Sequence, residues 1–94
     1  MRSTSSSRRA SFDVASDILL AALEGERKTR IMYRANLDTR AMRRYFALLI
    51  NRGLLQMVDD GDAMVYRTTD KGRMFIDDYQ GFRDLFLETE RAPS

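Results

Sequence analysis

Between Lys28 and Leu54 the chain reads KTRIMYRANLDTRAMRRYFALLINRGL, two helical patterns joined by the three-residue link Asn36-Leu37-Asp38. A link this short has room only for a turn, so the two helices form one supersecondary unit. The same unit gathers charge. From Arg27 to Arg52 there are eight Lys/Arg residues against one acid, Asp38, out of chain totals of 16 and 14, which leaves eight basic and thirteen acidic residues elsewhere. The formal net charge is only +2, but a charge concentrated on one helix pair creates a local field that can face an anionic polymer.

After Gly53 the apolar period changes from helical to alternating. Leu54–Val58 and Ala63–Thr68 are rich in branched and aromatic residues, with Asp59-Asp60-Gly61-Asp62 between them, and they predict a hairpin. Upstream, Ser11 is a candidate cap for a first helix carrying Phe12, Ala15, Ile18, Leu19, Ala22 and Leu23 at helical spacing. Asp13 and Asp17 would suit its N-terminal dipole, and Gly25 would end it. Glu26–Lys28 reads as a polar connector with a very short strand. Thr29 can cap the second helix, and Asp38 or Thr39 the third, expected over about 40–51. That third helix divides into an apolar face (Met42, Tyr45, Phe46, Leu49, Ile50) and a polar one (Arg40, Arg44, Ala47, Asn51), with Arg43 at the edge. Phe46, Leu49 and Ile50 are assigned to the core, as is Tyr45 with its hydroxyl at the margin. Gly53 is a helix stop. Thr69 or Asp70 opens a fourth helix reaching about Glu90.

The domain organisation expected is a disordered basic arm over 1–10, a winged helix-turn-helix domain over 11–72, and a C-terminal helix over 73–90. The arm, MRSTSSSRRAS, is followed by no continuous apolar run, so it does not read as a secretory signal. No stretch approaches the roughly 20 apolar residues that span a bilayer. With no cysteine and no histidine, disulfides and thiolate or imidazole metal sites are excluded, and no cofactor is expected. An enzyme would have to work with carboxylates alone, and none stands in an apolar setting that would tune it.

Helix, turn, helix, hairpin is the order of a winged helix-turn-helix, a mainly α fold with a small β-hairpin wing. In such a fold the second helix of the pair enters the DNA major groove with its N-terminal residues nearest the bases. Arg40, Arg43 and Arg44 share the exposed side of its early turns, and Thr39 stands at its start. Arginine suits both phosphate clamping and bidentate pairing with guanine. A solvated face would also carry arginines, but it would more naturally mix signs than stack like charges at i, i+3 and i+4. Arg30 and Arg34 on the preceding helix are candidates for backbone contacts, and Arg67 is the candidate on the wing. The wing tip is acidic and should repel phosphate. Its Asp-Gly chemistry reads as a tight turn, not as a calcium loop, which would need further ligands. In the last helix Phe75, Tyr79, Phe82 and Phe86 recur at spacings of four, three and four, with Leu85 beside them. Tyr79, Phe82, Leu85 and Phe86 are accordingly the candidate homodimer seam, and Gly81 could admit a partner backbone.

KTRIMYRANL, RRYFALLINRGLL and TTDKGRMFIDDY together resemble the small archaeal winged-helix DNA-binding proteins of about ten kilodaltons, over about residues 12–87. The resemblance implies a dimer held by a C-terminal antiparallel coiled coil. By it, Thr39, Arg40, Arg43 and Arg44 would face the groove and Arg67 would belong to the wing. The last helix looks shorter here than in that family, and the acidic wing tip departs from it as well. The leading expectation is a dimeric double-stranded DNA binder, a transcription regulator or architectural protein in the cytoplasm at the nucleoid. The alternative is a winged helix that has lost DNA binding and holds a protein partner through its acidic wing or aromatic tail.

Overall fold

The computed structural model describes the backbone of residues 2–91 and the side chains of residues 11–85. Its elements are α1 (Arg2–Ala21), α2 (Lys28–Arg34), α3 (Thr39–Asn51), β1 (Leu55–Asp59), β2 (Met64–Thr68) and α4 (Asp70–Arg91). The fold is mainly α with an antiparallel β1–β2 hairpin, as the sequence leads one to expect. The hairpin register pairs Leu55 with Thr68, Met57 with Tyr66 and Asp59 with Met64. In place of the very short strand expected over Glu26–Lys28, Glu26 makes a single antiparallel bridge, exchanging two backbone hydrogen bonds with Tyr66 (2.9 and 2.8 Å).

The core runs through every element. Ile18 and Leu19 from α1, and Ala22 just beyond it, meet Ile31 and Ala35, Met42, Phe46 and Leu49, Leu55, and Ile76. Burying each of the larger side chains contributes about 1.5–3 kcal/mol relative to exposure. The Phe46 ring meets Tyr66 edge-on at 4.8 Å between centroids, which ties α3 to the wing.

The two helices of the central pair end in the same way. At the end of α2 the Asn36 and Leu37 amides donate to the Tyr33 and Met32 carbonyls, with Asn36 in the left-handed region at φ 57°. At the end of α3 the Gly53 and Leu54 amides donate to Ile50 and Leu49, with Gly53 at φ 75°. Both are Schellman motifs, which satisfy the last carbonyls and turn the chain sharply. The second residue of each, Leu37 and Leu54, packs on the core and sets the direction in which the chain leaves.

Several boundaries differ from the sequence expectation. The helical backbone of α1 starts at Arg2, not at a Ser11 cap, because RSTSSSRRAS holds no glycine or proline to break it. The side chains of the expected basic arm lie outside the described residues. Asp13 and Asp17 therefore stand well inside the helix, away from its N-terminal dipole. Helix α2 is entered from Arg27, in extended conformation and without a side-chain cap, because the Glu26 bridge already holds the preceding backbone. Thr29 lies inside the helix. Helix α3 is capped by Asp38, whose carboxylate accepts from the Ala41 amide at 2.8 Å. Ile50, assigned to the core by period, is 39% exposed, because it lies at the outer edge of a stripe centred on Met42, Phe46 and Leu49.

The start of α4 is knitted to the rest of the molecule. The Thr68 hydroxyl donates to the Leu19 carbonyl at 2.6 Å and its amide to Ala22 at 3.0 Å, while Arg73 Nη2 donates to Leu23 at 3.2 Å. These bonds supply partners to the Leu19 and Leu23 carbonyls at and just past the end of α1, and a second one to the Ala22 carbonyl, which also accepts from the Gly25 amide at 3.1 Å. Thr69 Oγ1 donates to the Gly53 carbonyl (2.6 Å) and accepts from the Gly72 amide (3.0 Å), so it caps α4 and anchors it to the end of α3.

Candidate nucleic-acid interface

Helix α3 is positioned by its buried stripe, and the stripe fixes what the opposite side presents. With Met42, Phe46 and Leu49 inward, the side chains of Thr39, Arg40, Arg43 and Arg44 are all exposed, within the first two turns. Among the described residues none of these arginines is paired with an acid. At about 100° per residue, Arg43 lies toward one margin of this face and Arg44 toward the other, with Arg40 between them. Three guanidiniums thus fan across a width of helix surface with no neutralising partner.

The preceding helix adds cations of a different kind. Arg30 is exposed, but its Nε lies 3.6 Å from Glu26 Oε2, so it belongs to an ion pair one turn long. Arg34 sits exposed in the last turn of α2, where a cation also suits the helix dipole. Next to it Tyr33 is 85% exposed and shares a shallow cleft with Thr29, Met32, Arg34 and Leu37. The Tyr33 ring thus lies on the surface of α2 and not in the core.

Arg67 does not join the α3 cluster. It faces Gln56 across the base of the hairpin, in a cleft with Lys71 and Arg73 beside Gly53. That is the C-terminal end of α3, about 18 Å of helix axis from Thr39. A second basic patch made of Arg67 and Lys71 was not visible in the sequence, because it depends on the hairpin register and on where α4 begins. At the wing tip, Asp59 Oδ1 accepts from the Gly61 amide (3.0 Å) and Asp60 Oδ1 from the Asp62 and Ala63 amides (3.2 and 3.4 Å). Two of the three tip acids thus build the turn, which accounts for Asp-Gly chemistry there. Met57 and Met64, on the same side of the hairpin, are about half exposed.

Of the candidate dimer residues, Tyr79 is half-buried. Its hydroxyl donates to Asp13 Oδ1, and its ring stacks with Phe12 at 6.2 Å and with Phe75 at 6.1 Å. Phe82 and Leu85 are 71% and 60% exposed. The side chain of Phe86 lies outside the described residues. Asp13 and its neighbour Asp17 form an acidic step on α1 facing α4. Desolvation, and secondarily the charge of Asp13, holds the Asp17 carboxyl above the usual carboxylate range, and Arg83 partly offsets this. Among the described residues there is no group of acids or other ligands able to hold a metal ion, and no helix long and apolar enough to cross a membrane.

Comparison with known proteins gives the same architecture. A segment of 50 residues is 46% identical to an uncharacterized protein of Methanocaldococcus jannaschii; it covers 52% of each chain, so the match spans about half the length of that relative. The crystal structure of Sso10a-2, a DNA-binding protein from Sulfolobus solfataricus, superposes with a TM-score of 0.68 over 84% of this chain and 86% of that one. At 22% identity this likeness speaks for the fold alone. The family model of the winged helix-turn-helix matches residues 8–86. The chain therefore belongs to the winged helix-turn-helix family.

Proposed function

We propose that the protein binds double-stranded DNA as a homodimer, with α3 as its recognition helix, and acts on nucleoid DNA as a regulator or architectural protein and not as an enzyme. One observation carries this reading: Arg40, Arg43 and Arg44 are exposed together on the early turns of α3 with no acid partner among the described residues. Like charges held this close repel each other, and an anionic polymer would relieve that repulsion. Sso10a-2, of the same fold, is a DNA-binding protein, which supports the reading. In this reading Thr39 contacts a phosphate or a base edge and Arg34 the DNA backbone. Arg30 would have to leave Glu26 first. Arg67 would contribute only if DNA reached the base of the wing. Duplex DNA titrated against wild type and an Arg40/Arg43/Arg44→Ala variant tests this. Removing three phosphate or base contacts is expected to weaken binding by at least about 100-fold near 100 mM salt and to flatten the salt dependence by up to about 3 in log–log slope. Equal affinities would overturn the assignment.

The homodimer is proposed through the second half of α4. Phe82 and Leu85 supply its apolar face, and Tyr79 supports that face from within its own chain. Sedimentation at micromolar concentration should give a dimer that Phe82→Ser with Leu85→Ser converts to monomer. A monomeric wild type would remove the proposal.

The acidic wing favours a second reading, in which Met57 and Met64 beside Asp59, Asp60 and Asp62 dock a basic protein segment. A stoichiometric protein partner recovered without DNA, and lost on Met57→Ser with Met64→Ser, would promote it over the first.

A further inference from the structure

A groove of about 530 Å³ runs between the start of the described part of α1, the outer side of α3 and the first turns of α4. We propose that it is a binding site for a small aromatic carboxylate. The volume lies in the ordinary range for small-molecule sites. Phe12, Tyr45 and Phe75 bring aromatic rings from three different helices, and Leu48, 44% exposed on α3, forms an apolar wall between them. These rings are held in place: Phe12 and Phe75 both stack on Tyr79, and the Tyr45 hydroxyl donates to Ser11 Oγ at 3.3 Å. Among the described residues, the charged side chains lining the groove are Arg44 and Arg52, with no acid beside them. They stand eight residues apart, Arg44 on α3 and Arg52 at its C-cap, about 12 Å along the helix axis, with Tyr45 and Leu48 between them in the sequence. An aryl body lies between the rings and its carboxylate meets Arg52, a guanidinium suited to a bidentate pair.

Arg44 lines the same groove, and it is also one of the arginines assigned to DNA. Occupancy therefore restrains a DNA-facing guanidinium and lowers DNA affinity; this second part rests on the proposed recognition helix.

The experiment titrates 2-naphthoate into the full ¹⁵N-labelled chain, without DNA, beside the neutral analogue 2-naphthalenemethanol. Expected are saturable amide shifts centred on Phe12, Tyr45, Leu48 and Phe75, with the neutral analogue binding roughly tenfold more weakly, the worth of a charge-assisted hydrogen bond. Arg52→Ala should bring naphthoate down to the level of the neutral analogue. Leu48→Trp, which fills the slot from an exposed position, should abolish both while the amide spectrum stays folded. Shifts scattered elsewhere, equal affinity for the two compounds, or an unchanged Arg52→Ala would overturn the site. In a separate arm, saturating naphthoate should weaken duplex binding by about fivefold, the lower end of ordinary coupling between sites. Unchanged DNA affinity with the groove filled would overturn the coupling and leave the site standing. Absence of any DNA binding before naphthoate is added would count against the recognition helix alone.

Discussion

The two halves of α4 carry a glycine each, and the two glycines live under opposite conditions. At Gly72 a Cβ would come within 2.3 Å of the Leu54 carbonyl oxygen and 2.6 Å of Thr68 Cγ2. At Gly81 it would meet nothing within 4 Å. The first half is pressed onto the α3–β1 junction, capped by Thr69, bound through Arg73 and buried at Ile76. The second half presents Phe82 and Leu85 outward. One continuous helix is thus tightly built into the domain over its first turns and carries exposed apolar side chains afterwards. A helix in this fold is therefore divided by what it touches, not by any break in its own sequence pattern.

The largest effect expected from probing that division is at Gly72. A methyl there would have to displace the backbone at Leu54, and the Thr69 cap that depends on the same junction would open with it. Gly72→Ala should destabilise the chain by about 3 kcal/mol, the upper range for overpacking a rigid site, in spite of alanine's better helix propensity. Urea unfolding measures it. A midpoint equal to wild type would mean that α4 can slide away from Leu54 without cost.

Much of this architecture was legible beforehand, and the illegible parts share a cause. The helix pair, its short link, the hairpin and the split of α3 into apolar and arginine faces follow from local period, because helix and strand spacings differ and each segment is long enough to display one. The Gly53 stop was legible for the same local reason. Relations between distant segments were not. TTDKG gives no sign that Thr69 and Gly72 must close on Gly53 and Leu54, because those partners lie some 16–18 residues earlier. Arg67 reads as a wing cation, yet the register places it at the base with Lys71. Tyr79 shares its helical spacing with Phe82, and spacing alone does not say that α1 covers one and not the other. Ile50 and Leu49 are adjacent in an apolar run, and only the position of the stripe's centre separates exposed from buried.

At Gly81 the same substitution should act with the opposite sign. The position is an interior helical residue with open space around it, so alanine removes the entropic cost of glycine and adds no clash. Gly81→Ala is expected to stabilise by about 0.5–1 kcal/mol. For a domain of this size that corresponds to a rise of about 2–8 °C in Tm. A fall in Tm would show that another backbone approaches Gly81, as a closely crossed dimer would require. The pair Gly72→Ala and Gly81→Ala therefore measures where along α4 the tight packing ends.

The smallest effect concerns the acidic step between α1 and α4, at the border of the two halves. Desolvation first, and Asp13 second, raise the Asp17 carboxyl above its ordinary value, while Arg83 from α4 pulls against them. A carboxyl raised in the folded state binds its proton more tightly there than in the unfolded chain. Its contribution to stability is therefore present at pH below the unfolded value and is lost as pH rises through the folded one. At neutral pH the ionised Asp17 is a slight burden on the α1–α4 contact. Asp17→Asn should accordingly raise the urea midpoint slightly at pH 7 and lose that advantage near pH 3. The group is exposed and screened, so the change will be small, and its sign and pH course are the informative readings. A lower midpoint at pH 7 would mean that the attraction of Arg83 outweighs both desolvation and Asp13, making the second half of α4 an electrostatic partner of α1.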